Sequence, residues 1–320
     1  MVLLISGGCG FIGSAFLLSH IEAFPSDRVI CLDKMTYAAI KNIPKIASDM
    51  SENFRFVKGD ISDRELVYSI FEQEHPDAVV NFAAETHVDR SITDPAPFVQ
   101  SNVVGAGVLL DACVKYRTSR FHQISTDEVY GEYTASSDEG FDEKAPLKPS
   151  SPYAATKAAA DMIALSYART YGLFVTISRS SNTYGPRQNP EKLIPKTITN
   201  VLTGKKVPVM GKGLNRRDWL HVTDHCKAVE LILKQGASGE IYNISGEREV
   251  YNIDIVRAIL KRLEKDDSEI ELVPERAGHD DRYLVDSRKL ENLGWKHEIP
   301  LEKGLDDTVN WYLENYSTLI

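Results

Sequence analysis

Apolar residues fall along the first half of the chain in short, nearly unbroken runs: VLLIS, RVICLD, FRFVKG, AVVNFAAE, RFHQIS and FVTISRS. Runs of this length without strict alternation fit strands buried on both faces, as in a parallel sheet. Longer stretches with helical spacing, such as GSAFLLSHIEAF and VVGAGVLLDACVKY, separate them. The alternation predicts an α/β fold, a Rossmann-like doubly wound parallel sheet covered by helices on both faces. After Ser180 the rhythm fades. Pro, Gly and basic residues thicken in YGPRQNPEKLIP and VPVMGKGLNRRDWL, and PLEKGLDDTVNWYLENY has the spacing of an amphipathic helix. A smaller C-terminal α/β substrate-binding domain, mainly residues 181–320, is therefore expected beside a first domain over residues 1–180. A segment near residues 214–240 is expected to return to the first domain, since no linker separates the two.

Composition narrows the partners. The formal net charge is −9, so a polyanion such as DNA or RNA is not expected. An anionic ligand would need a local basic pocket, for which Lys192, Lys196, Arg217, Arg276 and Arg282 are candidates, with Asn182 and Asn243 as neutral partners. Cys9, Cys31, Cys113 and Cys226 are widely spaced and form no ligand pattern, so neither a metal nor a disulfide framework is expected, and a cytoplasmic setting fits. MVLLIS lacks a basic region before it and reads as a first strand. No apolar run reaches the ~18 residues of a membrane span.

Gly8-x-Gly10-x-x-Gly13 directly follows the first strand and opens a helix, with Asp33 at the end of the second strand. Glycines at this spacing allow a tight turn and let a pyrophosphate approach the backbone at a helix N-terminus. Asp33 suits a ribose diol and would repel a 2′-phosphate, which points to NAD over NADP. Asp60, ending FVKGD, stands where it reaches the adenine side or caps a loop. Tyr153 and Lys157 lie four apart in the alanine-rich run PSSPYAATKAAADMIA, hence on one helix face. A phenol with a pKa of roughly 10 is a poor base. Positive charge from Lys157 and an oxidised nicotinamide is expected to favour the phenolate, so that Tyr153 can take a proton from an alcohol.

The run STDEVYG places Asp127 and Glu128 side by side after an apolar strand. Successive strand residues point to opposite faces, so both carboxylates reach one ligand only if the strand has ended at Thr126. Two carboxyls serving as acid and base need pKa values pushed apart by their surroundings.

Together, GGCGFIGS, DKMTYA, FAAETHVDRSI, STDEVYG, SPYAATKAAAD, YGPRQNPEKLIP, RRDWLHVTDH, GEIYNISG and GHDDRYLVD resemble the extended short-chain dehydrogenases/reductases, and among them the nucleotide-sugar 4,6-dehydratases. The resemblance spans nearly the whole chain. It implies that Tyr153, supported by Lys157 and Thr126, takes the sugar 4-hydroxyl proton as hydride passes from C4 to NAD. Glu128 then removes the C5 proton, Asp127 donates to the departing C6 hydroxyl, and hydride returns to C6. Around NAD it implies Gly7, Gly10, Phe11, Ile12, Gly13, Asp33, Lys34, Thr36, Asp60, Ile61, Phe82, Ala83, Ala84 and Ser101. Around a nucleotide-diphosphate sugar it implies Thr86, Asn182, Glu191, Lys192, Leu193, Lys196, Pro208, Arg217, Asn243, Arg276, His279 and Tyr283. The implied substrate is glucose on thymidine diphosphate, for deoxysugar biosynthesis, and the implied assembly a homodimer packed through helices that include the one bearing Tyr153. UDP-glucose or a UDP-amino sugar, a 4-epimerase, and an inactive NAD-binding scaffold are the alternatives. Ala39, Thr183, Arg187, Met210 and Asp281 depart from the family pattern.

Overall fold

The structure, a computed structural model, describes residues 1–276 and 278–319. The strands are β1 (Val2–Ser6), β2 (Arg28–Asp33), β3 (Phe54–Lys58), β4 (Ala78–Asn81), β5 (Arg120–Thr126), β6 (Val175–Ser180), β7 (Asn182–Tyr184), β8 (Val207–Met210), β9 (Arg216–His221), β10 (Glu240–Ile244), β11 (Glu249–Tyr251) and β12 (Ile270–Val273). Seven form one sheet in the order β10-β6-β5-β4-β1-β2-β3, parallel throughout. Consecutive residues of its strands serve opposite faces, which is why the sequence runs are apolar without a gap. Leu4, Ile30, Val79 and Phe121 pack under one layer of helices, whereas Leu3, Ile5, Val29 and Val80 pack under the other.

The six apolar runs all become strands of this sheet, although AVVNFAAE is a strand only over Ala78–Asn81 and then turns into loop. The helix Pro152–Tyr171 is bounded as its sequence dictates. Ser151 caps it by accepting from the Ala154 amide (3.1 Å), Pro152 takes the first helical position, and Gly172 ends it in the left-handed region at φ 69°.

The remaining strands form a three-stranded sheet, β11-β9-β7, and a β12-β8 pair. Of the segment expected to return near residues 214–240, Arg216–His221 stays in the three-stranded sheet as β9, and the chain from Val222 to Ile244 lies on the main sheet. The helix Val222–Gln235 buries Val222, Cys226, Val229 and Leu233 in the same cluster as Phe16, Leu17 and Ile21 of the helix Phe11–Ala23, and β10 pairs with β6. The helix Leu301–Leu319 packs Leu301, Leu305 and Val309 on Tyr184, Ile194, Trp219 and Ile255. All four cysteines are free and buried. Among the described residues one helix, Ala96–Tyr116, has the length and apolar composition to cross a membrane, and half of that stretch is buried inside the fold.

Candidate active site

The sheet order reverses direction between β1 and β4, and ligands of open parallel sheets bind at such a switch point, beyond the carboxyl ends of the strands. Here the loops after β1, β2, β3, β4, β5 and β6 open into one cavity of about 360 Å³.

Its first wall is the glycine turn. Gly7 adopts φ 71°, and a Cβ there would stand 2.5 Å from the Ala83 nitrogen, while a Cβ on Gly13 would meet the Gly7 carbonyl at 2.2 Å. A Cβ on Gly10 would meet only the Gly7 oxygen, at 3.3 Å, so the turn leaves a shallow cradle against the first amides of the helix Phe11–Ala23. Those amides have no partner within the helix and suit a pyrophosphate. Asp33 is clamped through Cys9 N–H to Oδ2 (2.9 Å) and Met35 N–H to Oδ1 (2.7 Å), and burial raises its carboxyl above the ordinary value. Asp33 also lines the cavity, and a carboxylate oxygen has capacity beyond one accepted bond for a ribose diol. Lys34 pairs with Asp60 at 2.7 Å, and Thr36, Ile61, Phe82, Ala83, Ala84 and Ser101 complete the wall. The glycine cradle, unpaired helix amides and clamped Asp33 fit a dinucleotide such as NAD.

Opposite stands the reactive group of side chains. β5 ends at Thr126, and Asp127–Tyr130 wind into a 3-10 turn, so Asp127 and Glu128 escape strand alternation and both face the cavity. Thr126 Oγ1 accepts from the Glu128 amide (3.3 Å) and donates to Asp127 Oδ1 (3.2 Å). Asp127 Oδ2 is buried without a partner. Burial and the neighbouring Glu128 push the Asp127 carboxyl up to about 8, so it is protonated at neutral pH. Burial also raises Glu128, but Lys192, Arg217 and Arg276 oppose the shift. Three cations thus oppose the rise at Glu128, whereas burial and Glu128 dominate at Asp127.

Tyr153 and Lys157 share the inner face of the helix Pro152–Tyr171. Lys157 Nζ is spent on the Ile124 carbonyl at 2.5 Å, and burial lowers it to about 8. Burial, Glu128 and Asp127 together raise the Tyr153 phenol, against a hydrogen bond with Thr126 that favours the phenolate. The expected depression by Lys157 is therefore not a property of the protein alone, because desolvation outweighs it.

Every cofactor and catalytic position expected from the sequence lines this cavity, as do Thr86, Asn182, Glu191 and Lys192. Lys192 Nζ donates to the Thr86 carbonyl (3.0 Å), and Asn182 Oδ1 is buried without a partner. Arg217 lies beneath, its guanidinium donating to the Asp280 and Asp281 carbonyls and stacking 4.3 Å over the Tyr283 ring. Arg276 pairs with Asp89 at 3.2 Å and keeps a buried, unpartnered Nε. His279 is held by Glu275 at 2.5 Å, and the Tyr283 hydroxyl donates to Asp280.

Other expected substrate positions are placed elsewhere. Asn243, in β10, spends its side chain on the Tyr130 hydroxyl (2.8 Å) and the Phe141 carbonyl (2.9 Å). Arg282 is locked to Glu249 and Asp138. Leu193 packs into a core cluster, Lys196 projects to solvent and Pro208 lies in β8. His87 is neither a core histidine nor a cavity residue; it sits at the start of Val88–Thr93, 3.7 Å from Glu191.

A sequence model of the family described as GDP-mannose 4,6 dehydratase matches residues 4–308. A dTDP-glucose 4,6-dehydratase of Streptomyces niveus is 47% identical over 98% of this chain and 94% of its own length. The chain belongs to the nucleotide-sugar 4,6-dehydratases. Among solved structures, this dehydratase superposes on dTDP-glucose 4,6-dehydratase of Streptomyces venezuelae, crystallised with NAD bound, with a TM-score of 0.94 and 43% identity over 99% of this chain and 98% of the other. The Bacillus anthracis enzyme in complex with NAD gives 0.92 and 43%, with both chains fully covered.

Several positions on the wall of the dehydratase cavity escape the sequence reading. Gln188 and Asn189 line it, as do Ser181, Thr183 and Gln100. Gln188 Nε2 donates to the Thr183 carbonyl (2.8 Å) while its Oε1 is buried and unpartnered. For Gln188 and Asn189 the signal is the polar run between Pro186 and Pro190, which does not say which side chains turn inward.

Proposed function

We infer that the chain converts dTDP-glucose to dTDP-4-keto-6-deoxyglucose, an NAD-dependent hydro-lyase reaction of deoxysugar biosynthesis. The observation that carries this is the 3-10 turn that presents a protonated Asp127 and a neighbouring Glu128 to the cavity that Tyr153 lines. An enzyme that only oxidises and reduces C4 has no use for that pair. The high similarity to dTDP-glucose 4,6-dehydratases along the full chain supports the nucleotide and the sugar.

NAD bound along Gly7–Gly13 and Asp33 supplies a hydride acceptor for C4 and returns that hydride to C6. Tyr153, aided by Thr126 and Lys157, takes the proton of the 4-hydroxyl. The ketone so formed acidifies C5–H, and Glu128, whose charged form Lys192, Arg217 and Arg276 favour, takes that proton. Asp127 gives its proton to the departing C6 hydroxyl from Oδ2. Arg276, Lys192 and Asn182 offer cation and amide contacts for the diphosphate and base, with Arg217 below them.

The cofactor unit comprises residues 1–180 with the returning Val222–Ile244, and the sugar-nucleotide unit most of the rest. Val99, Val104 and Met162, 47%, 42% and 48% exposed on the helices Ala96–Tyr116 and Pro152–Tyr171, support a homodimer packed through those helices. Four free thiols support a reducing, cytoplasmic setting.

The test follows the hydride. With dTDP-glucose deuterated at C4, the label is expected at C6 of a 4-keto-6-deoxy product, with solvent deuterium at C5 in heavy water and no net release of NADH, all read by NMR and absorbance. Label retained at C4 with an intact C6 hydroxyl would overturn the reading.

A further inference from the structure

A polar row crosses the buried sheet one residue below the ends of its strands. Ser125 of β5, Arg179 of β6 and Asn243 of β10 are register partners, Ser125 with Arg179 and Arg179 with Asn243. Above the row lies Asp161, one turn after Lys157 on the helix that carries Tyr153. Asp161 Oδ2 accepts from Ser125 Oγ (3.0 Å) and from Arg179 Nε (2.9 Å). The Arg179 guanidinium sits 4.8 Å over the ring of Tyr130, whose hydroxyl donates to Asn243 Oδ1 (2.8 Å). Asp161 is 0% and Arg179 1% exposed, and Asp161 Oδ1 and an Arg179 nitrogen remain unpartnered.

A buried ion pair with unsatisfied atoms is a poor stabiliser compared with apolar residues of the same volume. Its position, however, is informative. Asp161 is fixed to the helix bearing Tyr153 and Lys157, whereas Arg179 holds Tyr130, the last residue of the turn bearing Asp127 and Glu128. Together with the Lys157 bond to Ile124, the Asp161 bond to Ser125 ties the helix to the end of β5 at successive residues, and the ion pair ties it to β6.

We propose that Asp161 and Arg179 are positioning residues, an internal strut that sets the Tyr153 phenol against the Asp127–Glu128 turn. The proposal rests on the dehydratase reading of those groups. Neither residue lines the cavity, so their loss acts on the chemical steps and not on binding.

The test compares holoenzyme variants with dTDP-glucose as substrate, recording kcat, KM, bound NAD and thermal unfolding. Asp161→Asn is expected to lower kcat about 100-fold, the cost of a small misplacement of reacting groups, with KM and NAD content near wild type. The double variant Asp161→Asn/Arg179→Met removes both buried charges, so it should regain thermal stability without regaining kcat. A pair that only supports the fold would recover both, and wild-type kcat in the folded double variant overturns the proposal. Ser125→Ala, which deletes one hydrogen bond, should fold and lower kcat severalfold at unchanged KM; an unchanged kcat there, or a change confined to KM, also overturns it. Wild-type turnover in the same assay reports on the dehydratase reading by itself, and the ratio of variant to wild type reports on the strut.

Discussion

Asp127 and Glu128 are chemically near-identical side chains one position apart, and what distinguishes them is which charges they face. Burial and Glu128 raise Asp127 with Arg217 opposing, while Lys192, Arg217 and Arg276 all oppose the rise of Glu128. The two should fail differently on substitution. Asp127→Asn should leave C4 oxidation intact, so that reduced nicotinamide builds up on the enzyme, whereas Glu128→Gln should suppress exchange of the C5 proton with heavy water. Tyr153→Phe should instead stop oxidation, lowering kcat by about 100- to 10,000-fold, the usual span of general-base catalysis, with no rise in nicotinamide absorbance. The same corner sets a pH limit. The Asp127 carboxyl is raised from 3.8 to about 8, so the folded state holds a proton that the unfolded chain has already released. Its contribution to stability is complete below the unfolded value and is lost as pH rises through the folded one. Water loss should accordingly slow as pH rises through about 8, and Asp127→Asn should leave a slow rate without that limb, measured as ketosugar formed against pH. Lys157 loses its proton in the same range but serves C4 oxidation, which is followed separately by nicotinamide absorbance.

At the scale of elements, two short turns make the site. One is the 3-10 turn after Thr126, without which pleating would send the carboxylates to opposite faces. The other is the glycine turn, where the Gly13 hydrogen is all that separates the helix Phe11–Ala23 from the Gly7 carbonyl. Gly13→Ala should therefore push the helix from the strand end and purify without bound NAD, while circular dichroism stays close to wild type; normal NAD content would show that the turn yields at little cost. The helix bearing Tyr153 is more forgiving. Ser151→Ala removes its N-cap and should cost about 1 kcal/mol of stability, seen as a lower Tm with the site chemistry retained.

For the molecule as a whole, the fold solves a charge problem. A chain of net charge −9 collects Lys192, Arg217 and Arg276 around one acidic corner by folding later segments over the strand ends. The return of Val222–Ile244 to the main sheet interleaves later chain with residues 1–180. It leaves the outer faces of Ala96–Tyr116 and Pro152–Tyr171 with exposed Val99, Val104 and Met162. On the proposed homodimer, replacing Val104 and Met162 by Lys should give a monomer in sedimentation where the unaltered protein runs as a dimer, since a charge on each side of an apolar helix interface would be buried twice over; a monomer in both overturns that proposal.

The sequence by itself determined the strands of the first half, the helix around Tyr153 and the wall of the cofactor cavity. Each of these is local: apolar runs, capping residues and a glycine spacing act within a few positions, so Gly7–Gly13, Asp33 and Tyr153 with Lys157 are legible where they stand. The break of β5 at Thr126 was legible too, because two carboxylates could share a ligand in no other way. Substrate positions from later segments were less so. Asn243 and Arg282 look like free polar groups in one dimension, yet the Tyr130 hydroxyl with the Phe141 carbonyl and a pair of carboxylates consume them. Gln188 turns inward, and the buried Asp161–Arg179 pair joins a helix to a strand eighteen residues further on. The pKa of Tyr153 was likewise decided only in three dimensions, since desolvation depends on everything packed around the phenol and outweighs the lysine four residues away. Burial and long-range pairing are sums over the folded neighbourhood, and no local spacing encodes them.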